Sequence, residues 1–191
     1  MKKEVKIFNS SIQYCIDYRS VKYPRLEFRT GMLNIILPYD YENEHNLLNI
    51  HKNWIIKKQR AINFALNKSK DKQLINRNLN NLKKIVLDYY NKNSNNFKAK
   101  KIQFRHMKSK WGSCSSDKVL TFNSLLRFLP LNLIQYVVYH EMLHLKEKKH
   151  NKTFWNIISK KFTNYPLKEK DLFIYWFLIQ KNYNLNFSLK L

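Results

Sequence analysis

His140, Glu141 and His144 stand in the order His-Glu-x-x-His within the stretch HEMLHLKEKKH. On a helix, residues four apart share a face, with Cβ atoms roughly 5–6 Å apart. Two imidazoles so placed reach one metal ion at bond lengths of roughly 2.0–2.1 Å. Glu141 stands one residue further on, roughly 100° around the helix. From there its carboxylate reaches a metal-bound water without being a ligand, which is the place of a general base in metal-assisted hydrolysis. His150 follows six residues after His144 and supplies a third ligand. Three protein ligands leave a fourth position for water, as a catalytic zinc requires. The competing reading makes these side chains solvated residues at a helix end, beside Lys146-Glu147-Lys148-Lys149. Against it stand the apolar Leu133, Ile134, Val137 and Val138, and Pro130, which suits a helix start.

The elements that must position this stretch follow from the pattern. Short β-rich runs at Ile12 to Ile16, Leu26 to Phe28 and Leu33 to Leu37 are separated by Tyr23-Pro24 and Thr30-Gly31. The Gly31 break predicts a hairpin between the last two. From Glu42 to Asn67 the apolar spacing turns helical, and a polar break at Lys68 to Asp71 follows. A second amphipathic helix is predicted from Leu74 to Tyr89, ended by the Asn- and Ser-rich stretch 91–96. Lys101 to Met107 and Val119 to Phe122 read as strands flanking a loop from Trp111 to Asp117. After His150 come a helix bearing Phe154, Ile157, Ile158 and Phe162, a stop at Tyr165-Pro166, and a last helix from Lys168 to Lys181. The predicted organisation is a β-rich region over 1–40, a helical segment over 41–95 and a metal-binding catalytic region over 96–191, packed as one compact unit.

The chain has 191 residues, long enough for a real core, and 44% of them are hydrophobic. Two cysteines, Cys15 and Cys114, make no disulfide framework. No signal peptide or membrane-spanning run is apparent in the sequence, so a cytoplasmic protein is expected. The net charge of +23 would draw nucleic acid or other anions without sequence specificity. The excess is mostly lysine scattered along an Asn-rich chain with only two glycines, which fits a compositional bias and a solvated basic surface.

From Arg105 to Trp155 the chain resembles the YgjP-type metal-dependent hydrolases, relatives of the SprT-like zinc metallopeptidases among the zincins. The resemblance rests on Arg105, then Lys108-Ser109-Lys110-Trp111-Gly112-Ser113-Cys114, Phe122-Asn123 with Leu126, and Tyr136-Val137-Val138 running into His140-Glu141. His144, His150 and Phe154-Trp155 complete it. Lys118 stands where relatives often carry Gly. The resemblance implies an α+β fold: a zincin-like catalytic half with an active-site helix, behind a small β-rich N-terminal region. It implies zinc on His140, His144 and His150, with Glu141 as general base. It also suggests Val119 to Phe122 as an edge to which an extended peptide adds, the alternative being an ordinarily paired strand.

The expected function is zinc-dependent hydrolysis of a peptide or protein. Two alternatives stay open at this point: a metal-dependent nucleotide phosphohydrolase, and a nucleic-acid-binding module with structural zinc. Arg105 is read as binding substrate or an anionic intermediate, or as holding the Trp111 loop. Asn123 is read as orienting a ligand histidine, or as a cap. Gly112 is expected to permit unusual backbone angles, and Cys114 to be a free thiol.

Overall fold

A computed structural model describes residues 2–29 and 31–183. Four N-terminal strands, β1 (Lys2–Ile7), β2 (Ser10–Tyr18), β3 (Arg25–Arg29) and β4 (Met32–Leu37), form one sheet in the order β1-β2-β4-β3. β3 and β4 are antiparallel, with Arg29 opposite Met32. Gly31 takes the turn at φ +86°, while Thr30 lies outside the described residues. β1, which the sequence pattern did not reveal, pairs antiparallel with β2; its alternation of Lys and Glu with Val and Ile matches a sheet with one face in a core.

Two helices cover that sheet. The expected single helix over 42–67 is broken at His51 into α1 (Glu44–Ile50) and α2 (Lys52–Lys68). Leu47, Leu48, Ile55 and Ile56 join Ile12, Leu33, Ile35 and Leu37 in one core. The next helix, α3 (Leu79–Asn93), begins later than Leu74. The Asn78 side chain accepts from the Asn81 N–H at 2.8 Å and caps it. The segment before the cap is extended: the Ile75 N–H donates to the Phe128 carbonyl, and the Arg77 guanidinium donates to the Leu129 carbonyl.

The second sheet holds β5 (Lys101–Arg105), β6 (Gly112–Cys114) and β7 (Val119–Asn123) in the order β5-β7-β6. β7 is therefore the central strand, parallel to β5 and antiparallel to β6. Val119 to Phe122 is thus paired on both sides, and the edges are β5 and β6, the latter inside what reads as a loop. Lys118 takes the left-handed conformation at φ +59°. It is held there by its N–H to the Ser115 carbonyl and its carbonyl to the Lys100 N–H.

A 3-10 turn at Ser124–Phe128 leads into α4 (Leu131–Leu143), followed by α5 (Lys152–Lys161) and α6 (Tyr165–Asn182). Pro166 does not stop α5 so much as open α6, because proline's fixed φ suits a first helical turn. The larger core gathers Leu120, Phe122, Ile134, Val138, Phe154 and Trp176 from β7, α4, α5 and α6. α6 also packs Ile174 and Phe177 against Ile62 and Ala65 of α2. No helix among the described residues is long and apolar enough to cross a membrane. The fold is mixed α+β, as expected.

A left-handed L-residue costs about 1–2 kcal/mol, part of which glycine returns as unfolded-chain entropy. Lys118→Gly is therefore expected to stabilise the protein by about 0.5–1 kcal/mol, read as a rise in denaturant midpoint. A lowered midpoint would show that the Lys118 side chain makes contacts worth more than the backbone strain.

Candidate metal centre

The carrier of the site is α4. Leu133, Ile134, Val137, Val138 and Met142 are buried around most of its circumference, so its direction is set by packing. Its C-terminal turn brings His140 and Glu141 to one wall of a cleft of about 610 Å³, and His144 is its C-cap. The chain then folds back. The N–H groups of Leu145, Lys146 and Glu147 donate to the carbonyls of Met142 and Leu143. The Asn151 side chain accepts from the Phe154 N–H at 2.9 Å and starts α5 one residue after His150.

That reversal returns His150 to the other two histidines. Its Nε2 lies 2.9 Å from Nε2 of His140 and 3.0 Å from Nε2 of His144. One ligand atom from each residue falls within 4.8 Å of the others. Two nitrogens bonded at roughly 2.0–2.1 Å to a tetrahedral ion stand roughly 3.3 Å apart, so the cluster is within a few tenths of an ångström of that spacing.

The donor chemistry also fits. His144 Nδ1 lies 3.0 Å from the Glu147 carbonyl, which can only accept, so that nitrogen carries the proton and Nε2 keeps a free lone pair. Burial, and then the neighbouring imidazoles, pull the His140 pKa down to about 3. Burial lowers His144 and His150 as well. All three rings are therefore neutral at physiological pH, the form that binds a metal.

Aromatic rings hold the histidines in place. Phe154, fully buried, has ring-centroid distances of 4.9, 4.8 and 4.7 Å to His140, His144 and His150. Trp155 stacks on His150 at 5.5 Å, donates its indole N–H to the His150 carbonyl at 3.1 Å, and is itself stacked on Tyr165. The Phe154-Trp155 pair that follows His150 is thus the floor and side of the cluster.

Glu141 is 7% exposed. Burial pushes its carboxyl up to about 8, against the pull of the Lys110 charge. It lies against the backbone of β6: a Cβ on Gly112 would fall 2.5 Å from Glu141 Cγ and 2.7 Å from Oε1. Gly112 has no positive φ; among the described glycines that belongs to Gly31. The expected need for unusual backbone angles is thus corrected: what Gly112 provides is space for Glu141.

Asn123, fully buried, bonds to the loop and not to the histidines. Its amide donates to the carbonyls of Met107 and Lys110 at 2.8 Å each, and its side-chain oxygen accepts from the N–H groups of Met107 and Leu125. It thereby hangs the segment before Trp111 on the end of β7. Trp111 packs edge-on against Trp176 at 4.9 Å. Arg105 is exposed at the end of β5 and does not line the cleft. Cys114 lines it as a thiol whose pKa burial raises.

Residues that sequence reasoning passed over also line the cleft: Lys148, Glu169, Leu172 and Phe173. The α6 members carried no signal, because in sequence they lie in an aromatic-rich helix that reads as core.

The YgjP-like metallopeptidase domain model matches residues 68–173. The chain belongs to the YgjP-like family. It is therefore a hydrolase of the metallopeptidase class, and the match covers every residue of the cluster. No curated protein matches the chain. The crystal structure of the metallopeptidase zymogen jannalysin of Methanocaldococcus jannaschii is similar at 30% identity and a TM-score of 0.42, over 56% of this chain and 95% of that one.

Because the cleft tolerates no atom at position 112, Gly112→Ala is expected to displace the Glu141 carboxylate. If Glu141 is the general base proposed below, hydrolysis should fall at least about 100-fold, with metal content unchanged. Full activity in that variant would show that Glu141 need not sit against β6.

Proposed function

We propose that the protein is a zinc-dependent peptidase in which His140, His144 and His150 hold the metal and Glu141 is the general base. The observation that carries this reading is the convergence of three neutral imidazole nitrogens beside a buried carboxyl at the wall of an open cleft. Zinc bound there supplies a Lewis acid for the scissile carbonyl and a water acidified to a pKa of about 7.

Glu141 takes a proton from the attacking water on its carboxylate and later gives it to the leaving amine. Burial by itself would leave this carboxyl largely protonated at neutral pH; the Lys110 charge, and that of a zinc ion bound beside it, would draw it back toward the range in which it both takes and gives a proton. The backbone of β6 borders the same cleft at a sheet edge. An extended peptide adds there as a further strand, through main-chain hydrogen bonds that are indifferent to side chains. Trp111, Val137, Leu172 and Phe173 give the cleft an apolar lining for substrate side chains.

Three ligands with a cleft in front of them favour a catalytic over a closed structural zinc. The phosphohydrolase alternative gains no support from the glycines: Gly112 is taken up by Glu141 and Gly31 turns the β3–β4 hairpin. A cytoplasmic site of action and the three-part organisation at 40 and 95 belong to the same reading.

Glu141→Gln is expected to keep one zinc per chain and lose hydrolysis of an unfolded protein by about 100-fold or more, while His144→Ala loses the zinc. Zinc content by atomic absorption and cleavage by gel would check both. Hydrolysis of nucleoside triphosphates with proteins left intact would overturn the peptidase reading, as would full activity of Glu141→Gln.

A further inference from the structure

Each metal-binding imidazole needs its second nitrogen fixed, or the ring turns and either tautomer forms. For His144 the Glu147 carbonyl does this at 3.0 Å. For His140 a carboxylate faces this nitrogen from another helix: Oε1 of Glu169, from α6, lies 4.0 Å from Nδ1. The same oxygen accepts a hydrogen bond from the Tyr136 hydroxyl. Tyr136 precedes His140 by four residues, so α4 turns both groups toward α6. Its ring is 1% exposed and packs edge-on against Phe162 at 5.3 Å, so its hydroxyl has a settled direction.

We propose that Glu169 is a positioning residue for His140. Its carboxylate, anchored by Tyr136, accepts the Nδ1–H of His140 and holds Nε2 as the lone pair aimed into the cluster. At 4.0 Å the negative oxygen already favours the tautomer with its proton on Nδ1. The Glu169 side chain is 44% exposed, so it has the freedom to close the remaining ångström. Tyr136 has a matching part: it occupies one lone pair of Oε1 and limits how far the carboxylate can swing. The inference rests on His140 being a zinc ligand, as proposed above. The bland alternative is that the Tyr136–Glu169 bond only fastens α6 to α4.

The test is zinc affinity, measured by competition with a chromogenic chelator, together with thermal melting of the zinc-free proteins. Wild type, Glu169→Gln, Glu169→Ala, Tyr136→Phe and the Tyr136→Phe/Glu169→Ala pair are compared. Glu169→Ala is expected to weaken zinc by about 10- to 100-fold, the range for lost outer partners of metal ligands. Glu169→Gln, whose amide oxygen still accepts, should lose less and melt near wild type. Tyr136→Phe should lose a smaller factor, and in the Glu169→Ala background it should add nothing. Wild-type affinity in Glu169→Ala would overturn the proposal, as would losses that track the melting temperatures or that add in the pair. A wild-type protein that binds no zinc would overturn the metal reading itself, and this proposal with it.

Discussion

Three imidazole nitrogens can be turned toward one point only while at least two of them present lone pairs there, because two rings protonated at that point would set like charges side by side. Burial discourages ionisation of His140 and His144, whereas His150 is exposed and is held by its neighbours. Phe154 lies against all three rings, Trp155 covers the flank of His150, and the apolar body of α4 leaves His140 little water. The cost of ionising the rings is what leaves their nitrogens free as ligands. The same desolvation raises the carboxyl next door, so one environment favours the neutral form of both the rings and the carboxyl.

The rest of the fold serves that arrangement by fixing directions. α4 is buried on most sides, so it cannot roll and carry the histidines away. The fold-back after His144 is held by backbone bonds and by the Asn151 cap, which makes the six-residue spacing to His150 a geometric closure and not a loose tether. β6 comes so close to Glu141 that its backbone is part of the site wall, and Asn123 suspends the preceding loop from the central strand. Four hydrogen bonds on one buried amide group account for Asn123 without any contact to the metal cluster.

What could be read in the sequence was what depends on spacing along one element. The pair His140 and His144, the place of Glu141 and the core stripes of α3 and α5 follow helical periodicity, and the β3–β4 hairpin follows Gly31. What could not be read depends on contacts between elements distant in the chain. β6 is only three residues long and exists because β7 pairs with it, so Gly112 to Cys114 looked like loop. Glu169 reaches the cleft from α6, and one Glu among lysines says nothing of that. Gly112 read as a position of unusual backbone angles because the side chain that fills its vacant space comes from α4. The left-handed turn at Lys118 carried no signal of its own, since a lysine says nothing of a positive φ; the backbone bonds to Ser115 and Lys100 impose it.

α6 belongs to both halves of the molecule. Leu172, Trp176 and Ile179 complete the core around α4, Ile174 and Phe177 meet α2, and Glu169, Leu172 and Phe173 form a wall of the cleft. On the ribosome this helix emerges after every other described element. Until it docks, the N-terminal sheet has its own core, but Ile62 and Ala65 of α2 lack Ile174 and Phe177, and the cleft lacks its α6 wall. Assembly of the molecule and completion of its hydrolytic cleft are therefore one event, and a chain still being translated carries its histidines without a finished place to hold a substrate.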